Sequence, residues 1–141
     1  MQSFPADDLR RLLTEIFLSW GMSVDHAVTA AARMIESDLR GIDSHGIAML
    51  STYEKLRDGG QLNVKPEIRI VTETPGTALI DAGASIGHIP ATQAMELAIE
   101  KCRAIGIGAV DAEFEQIATT DPASPAARAS WSPLIMSTVP K

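Results

Sequence analysis

A turn between two amphipathic segments, within the stretch from Leu39 to Gly60, constrains the fold more than any other feature of the chain. Gly41 follows an apolar-periodic run, where a glycine in the left-handed conformation would end a helix. Ser44 stands where an N-cap would begin the next helix. His45 follows Ser44 and is the histidine of this turn. The sequence therefore predicts a helix, a tight turn and a second helix that has His45 in its first turn.

The first turn of that predicted helix is a favourable place for an anion. Its backbone N–H groups lack partners within the helix and lie at the positive end of the helix dipole. A substrate carboxylate could be held there, together with the Ser44 hydroxyl, while the His45 imidazole exchanges a proton near neutral pH. From position alone, a histidine that only completes a helix end is the commoner interpretation, and for Ser44 a plain N-cap is an equal alternative.

Four further polar residues are candidates for the same substrate site or for metal ligands. Arg40 could pair with a substrate carboxylate through its guanidinium, or it could only stabilise the C-terminus of the preceding helix. Asp43 is either a neighbour of the imidazole or an ordinary turn residue. His26 and His88 fit surface or capping roles. Because the three histidines lack metal-ligand spacing, the sequence predicts no metal site.

Apolar periodicity predicts helices on both sides of this turn and strands after them. The second helix has an apolar stripe made of Val24, Ala27, Val28, Ala31, Ile35 and Leu39. The predicted helices cover about 6–20, 23–39, 45–58 and 89–103, and the predicted strands cover 68–74, 77–81 and 107–110. The fold class is α+β, with an amino-terminal helical bundle followed by the start of a sheet layer.

The composition of the chain changes at Asp111. All ten glycines lie before residue 109, and the remainder carries prolines at 122, 125, 133 and 140 among alanine, serine and threonine. We therefore predict a helical segment over 1–65, a hairpin, helix and strand over 66–110, and an irregular, flexible tail over 111–141.

Charge and composition argue against several classes of partner. A chain of 141 residues with 45% hydrophobic content can form a core. The net charge of −6 and the pI near 4.9 argue against nucleic acid, including a helix-turn-helix DNA-binding role, and against an anionic membrane. Cys102 is the single cysteine, so an intrachain disulfide is excluded. The sequence has neither an apolar membrane span nor a signal sequence, and it predicts a cytoplasmic protein.

The amino-terminal third of the type 2 malate/L-lactate dehydrogenases resembles two runs of this chain, LRGIDSHGIAMLSTYEKLRDGG and PEIRIVTETPGTALIDAGASIGHIPATQAMELAIEKCRAIGIGAV. The resemblance covers about Pro5 to Val110. It implies an oxidoreductase of small 2-hydroxy and 2-oxo acids on a non-Rossmann fold, with NAD or NADP as cofactor. It also implies that His45 protonates the substrate carbonyl oxygen while the nicotinamide gives a hydride to the carbon. It identifies no cofactor-binding residue in this chain.

Two positions depart from the family pattern. Met49 stands where many relatives have an arginine that can hold the substrate carboxylate, on the helical face of His45. Residues 114–119 read FEQIAT, where the family has a motif like Asn-Ser-x-His-Phe-Gly with a second functional histidine. We therefore predict a truncated family member that is inactive alone. The alternative is a non-catalytic helical interaction module, whose exposed apolar faces bind partners or form homo-oligomers.

Overall fold

The computed structural model describes residues 4–113 and one strand beyond them. The helices are α1 (Ala6–Ser19), α2 (Val24–Leu39), α3 (Leu50–Asp58) and α4 (His88–Ile105). The strands are β1 (Arg69–Glu73), β2 (Thr77–Asp81), β3 (Ile107–Glu113) and β4 (Ile135–Thr138). The chain divides into two compact units, Met1–Lys65 and Pro66–Lys141. The predicted α+β class is confirmed. None of the helices in the described ranges has the length and apolar character needed to cross a membrane.

The first unit is built on the helix pair α1 and α2, which pack against each other. Ser23 caps α2, since its hydroxyl oxygen accepts the His26 backbone N–H at 3.3 Å. Asp7 and Asp8 lie in the first turn of α1, where negative charge is favoured by the helix dipole. The fully buried residues of the pair include Leu13, Phe17, Ala27, Ala30, Ala31 and Met34.

Helix α2 ends as the sequence predicts, at a left-handed glycine. Gly41 has a φ of 74°, a conformation that side chains disfavour. The Gly41 N–H donates to the Asp38 carbonyl oxygen and the Ile42 N–H donates to the Ser37 carbonyl oxygen, both at 2.9 Å. These two bonds form a Schellman motif, which satisfies the last carbonyl groups of the helix and turns the chain sharply.

The buried stripe of α2 is rotated from the predicted one. Val24, Val28 and Leu39 belong to the apolar stripe of the sequence, but they are 63%, 47% and 68% exposed. Ala30 and Met34 are buried instead. The prediction was wrong here because α2 carries apolar residues over more than half of its circumference. Hydrophobic spacing alone does not say which part of so wide an apolar surface meets α1.

The second unit is a four-stranded sheet in the order β1, β2, β3, β4. Strands β1 and β2 form the predicted antiparallel hairpin, with an irregularity between Ile70 and Thr72. Strand β3 runs parallel to β2, and the connection between them is α4, which packs on β3. The core cluster of this unit consists of Ala78, Ile80, Ala94, Ala98 and Val110.

The sheet extends further along the chain than the sequence indicates. Strand β3 continues to Glu113, past the predicted end at residue 110. Strand β4 pairs antiparallel with β3, with Ile135 opposite Val110. A strand at a sheet edge is held by backbone hydrogen bonds to its neighbour, so it needs no regular side-chain period of its own. The rest of the predicted flexible tail, residues 114–134 and 139–141, lies outside the described residues.

Lys101 is a buried cation on α4. Its side chain is 7% exposed, and Nζ donates to Glu73 Oε1 at 2.8 Å and to the Thr74 carbonyl oxygen at 2.7 Å. A buried ammonium group needs such partners because burial removes its hydration. Lys101 therefore links α4 to the end of β1.

Tyr53, on α3, gives the first unit a testable alkaline pH dependence. Burial raises the pKa of its phenol. The unfolded chain ionises at about pH 10, before the folded chain does, so stability is fully present below that pH and is lost as the pH rises through the folded pKa. We expect the Tyr53→Phe variant to lack this part of the alkaline loss of stability. The measurement is the urea midpoint of both proteins across that pH range.

Tyr53 is the only tyrosine of the chain, so the phenolate absorbance reports its titration directly. The folded protein should titrate at a higher pH than the same protein in urea. If both titrate at the same pH, burial of Tyr53 contributes nothing to the pH dependence.

Candidate functional site

The structure brings two of the predicted site residues, Ser44 and His45, into direct contact. Both belong to a 3-10 turn, Asp43–His45, that directly follows the end of α2. Ser44 Oγ lies 2.9 Å from His45 Nδ1, and both side chains are exposed. The serine hydroxyl thus engages one ring nitrogen and limits rotation of the imidazole.

The sequence predicted that His45 lies in the first turn of an α-helix, but in the structure it does not. A second 3-10 turn, Ile47–Met49, follows the first, and α3 begins only at Leu50. Ser44 lies inside the Asp43–His45 turn, and the N-cap position of α3 is Met49, so Ser44 is not the N-cap of that helix. The predicted third helix was therefore too long at its start. Two short turns replace its first part.

The backbone N–H groups around His45 have partners within the chain. The His45 N–H donates to the Ile42 carbonyl oxygen at 3.0 Å, and the Gly46 N–H donates to the Asp43 carbonyl oxygen at 3.4 Å. The Ile47 N–H donates to a carboxylate oxygen of Asp38 at 2.9 Å. These three N–H groups are already occupied, which argues against the predicted anion site at a helix start here.

Asp38 is the residue of this region that sequence reasoning missed. It lies in the last turn of α2, and its side chain reaches nine residues along the chain to Ile47. A carboxylate at the C-terminal end of a helix is disfavoured by the helix dipole. That unfavourable position is the only sequence signal that could have drawn attention to it.

Arg40, the predicted carboxylate partner, is held by another acidic residue in the structure. Its Nη2 donates to Glu36 Oε1 at 2.5 Å, and Arg33 Nη1 donates to the other oxygen of Glu36 at 2.8 Å. The hydrogen bond from Arg33 and then the charge of Arg40 lower the pKa of Glu36. Since Arg40 is 68% exposed, its ion pair with Glu36 is of the weak surface kind and could be exchanged for a substrate carboxylate.

The remaining candidates lie apart from one another along the chain. His26 is in the first turn of α2, and His88 is the first residue of α4 in the second unit. Met49 belongs to the second 3-10 turn, so the helical i,i+4 relation assumed between His45 and Met49 does not hold. Within the described residues, no three His, Cys, Asp or Glu side chains come together to hold a metal ion.

Comparison with known proteins identifies the family of the chain. The family model for malate/L-lactate dehydrogenase matches residues 4–114. The chain belongs to this family. The match includes α1 to α4, the Ser44–His45 turn and the three strands β1 to β3. It ends where the FEQIAT departure begins.

Members of the malate/L-lactate dehydrogenase family are similar to this chain in both sequence and structure. The L-sulfolactate dehydrogenase of Methanocaldococcus jannaschii is 36% identical over 101 residues, and the malate dehydrogenase of Pyrococcus abyssi is 38% identical over 106. These matches cover 72% and 75% of this chain but only 29% of each relative. The solved malate dehydrogenase of Pyrococcus horikoshii superposes with a TM-score of 0.76 at 33% identity, over 80% of this chain and 32% of that chain. The chain therefore spans about a third of the length of these relatives.

The glycine-rich loop between β2 and α4 lacks features that would favour a dinucleotide, the cofactor that the resemblance implies. The loop between β2 and α4, residues 82–87, is rich in glycine and lies before a helix, but it contains no lysine or arginine. The Gly83 N–H in this loop already donates to Asp81 Oδ1 at 2.9 Å. Binding of two phosphates needs several free N–H donors or cations together. This loop supplies no cation, and its Gly83 N–H is already occupied.

Proposed function

We propose that this chain carries the proton-donor segment of an NAD(P)-dependent dehydrogenase of small 2-hydroxy and 2-oxo acids. The observation that carries the proposal is the contact of 2.9 Å between Ser44 Oγ and His45 Nδ1, with the imidazole exposed, in a member of the malate/L-lactate dehydrogenase family. In this role His45 is the acid and Ser44 orients it.

The contact with Ser44 suggests which ring nitrogen acts on the substrate. When Nδ1–H of His45 donates to Ser44 Oγ, Nε2 is the ring nitrogen that remains for the substrate. The imidazolium form also carries a proton on Nε2 and can transfer it to the carbonyl oxygen of a 2-oxo acid as negative charge develops there, which leaves neutral His45 with its proton on Nδ1. In the reverse direction, the same nitrogen accepts the proton of the substrate hydroxyl group.

Arg40 is the proposed partner of the substrate carboxylate. It lies at the C-terminal end of α2, five residues before His45, and its guanidinium is exposed. To bind a carboxylate in the bidentate geometry, Arg40 would break its ion pair with Glu36. Glu36 would keep its hydrogen bond from Arg33. The exchange of one surface ion pair for another costs little.

The chain alone is proposed to be incomplete as a catalyst. Its matches cover about a third of its relatives, and the loop before α4 supplies no cation while its Gly83 N–H is occupied. Hydride transfer requires the cofactor within about 3 to 3.5 Å of the reacting carbon. A proton donor without that arrangement cannot complete the reaction.

Titration of NADH into the chain tests this part of the proposal. We expect no saturable change in NADH fluorescence, because the glycine-rich loop before α4 has no cation and its Gly83 N–H is occupied. A suitable positive control is the ureidoglycolate dehydrogenase (NAD(+)) of Escherichia coli O157:H7, a relative that is 30% identical over 104 residues. Saturable binding of NADH to this chain would contradict the expected incompleteness, and turnover of a 2-oxo acid would show that the chain is a complete enzyme.

A non-catalytic interaction module is the second candidate function. The exposed residues Val24 and Val28 are one turn apart on α2, and Leu12 on α1 is also 49% exposed. Such surfaces favour association with a partner or with a second copy. Size-exclusion chromatography distinguishes the candidates. Oligomers that disappear in a Val24→Ser, Val28→Ser double variant would favour the interaction module.

A further inference from the structure

Asp38 joins the end of α2 to the turn that carries the proposed acid. Its Oδ2 accepts the Ile47 backbone N–H at 2.9 Å, while its own carbonyl oxygen accepts the Gly41 N–H that ends the helix. The same residue therefore contacts the chain before and after Ser44 and His45. The five-residue loop between Gly41 and Ile47 is held at both ends.

Gly46 shows how closely the Asp38 carboxylate approaches the main chain. Gly46 is buried although Asp43, Ser44 and His45 before it are exposed. It has φ −94° and ψ −151°, which any residue can adopt, so conformation does not require glycine. A Cβ at this position would instead collide with the carboxylate of Asp38. The absence of a side chain at Gly46 is what allows Asp38 to lie against the turn.

The position of Asp38 in its own helix indicates that this contact has a role. A negative charge in the last turn of α2 is opposed by the helix dipole. The hydrogen bond to the Ile47 N–H is charge-assisted and can offset that cost, since such bonds are about twice as strong as neutral ones. The carboxylate is therefore better explained by the turn that it holds than by the helix that it belongs to.

We propose that Asp38 is a positioning residue for His45, which holds the main chain at Gly46 and Ile47 and thereby keeps the imidazole in contact with Ser44. This proposal rests on the proposed function of His45 as a proton donor. Asp38 itself touches neither the ring nor a substrate. It acts through the main chain that immediately follows the histidine.

Nuclear magnetic resonance on the complete chain tests the proposal without requiring turnover. In the Asp38→Ala variant, the Ile47 amide should exchange with solvent on the order of tenfold to a hundredfold faster, because it loses a hydrogen bond to a charged group. The imidazole nitrogen signals of His45 should also shift, since they report the contact of Nδ1 with Ser44. Amides of Leu13 and Phe17, in the core of α1, should keep their protection.

Two variants separate this role from general stability. Asp38→Asn retains an oxygen that can accept the Ile47 N–H, so it should preserve most of the protection and the His45 signals. Gly46→Ala should reproduce the Asp38→Ala changes, because the added methyl group displaces the carboxylate. Asp25→Ala, which removes an exposed carboxylate from the other end of α2, is the control and should change neither signal.

The outcomes are decisive in both directions. Unchanged Ile47 exchange and His45 signals in Asp38→Ala and Gly46→Ala would overturn the proposal. If Asp38→Ala fails to fold, Gly46→Ala decides the question: unchanged Ile47 exchange and unchanged His45 signals in that folded variant would overturn the proposal. None of these signals depends on catalysis, so a failure of the proposed function of His45 would be seen separately, in the rate measurement described below.

Discussion

Replacing His45 by alanine should lower turnover by roughly 10² to 10⁴ in an enzyme that contains this segment. The suitable enzyme is a chimaera in which residues 4–113 of this chain replace the matching segment of the Methanocaldococcus jannaschii L-sulfolactate dehydrogenase. The variant lacks the group that we propose to exchange a proton with the substrate oxygen. The loss should appear mainly in kcat, because the proton transfer belongs to the transition state.

His26→Ala is the matched control for this experiment. His26 is also on the first unit, but it lies at the start of α2 and its backbone, not its ring, contacts Ser23. Its replacement should leave kcat unchanged within about a factor of two, as expected for a surface position. A His45→Ala chimaera that turns over as fast as its parent would remove His45 from the mechanism.

Local signals allowed the helices and the hairpin to be predicted from sequence. The prediction of a first helix over about 6–20 agrees with α1 at Ala6–Ser19, and the predicted second strand coincides with β2. The Gly41 stop is also confirmed. In each case the deciding contacts lie within a few residues of one another, so the sequence contains the whole cause.

The two 3-10 turns were not predictable because a side chain from a different element sets them. In a helix that began at His45 with Ser44 as its N-cap, the N–H groups from residue 48 onwards would bond to carbonyl oxygens of the helix itself. Here Asp38 instead accepts the Ile47 N–H, and that bond joins positions nine residues apart. Ser44 and His45 are neighbours in the sequence. The sequence does not show, however, that Ser44 Oγ contacts Nδ1 of the His45 ring. It also gave no sign that Lys101 would be buried with Glu73 as its partner.

Changing Gly108 to alanine should destabilise the chain by roughly 1–3 kcal/mol, the usual cost of overpacking a closely packed site. Gly108 is a buried residue of β3, the strand that packs on α4. A Cβ at this position would overlap the carbonyl oxygen of Ala98, and further contacts involve the Ala98 backbone. Main-chain atoms of α4 cannot move aside without moving the helix, so strand and helix must separate slightly. Urea unfolding followed by far-ultraviolet circular dichroism measures the loss.

Gly76→Ala is the matched control for Gly108→Ala, because both glycines belong to the second unit. A Cβ at Gly76 would meet Cδ1 of Ile105 at 3.0 Å, which is the end of a flexible side chain that is 54% exposed. Ile105 can turn away, so this change should alter stability by no more than about 0.5 kcal/mol. Equal urea midpoints for the two variants would show that β3 and α4 are not in backbone contact at Gly108. A loss confined to Gly108→Ala would mean that the small residues Ala98 and Gly108 set the distance between helix and sheet.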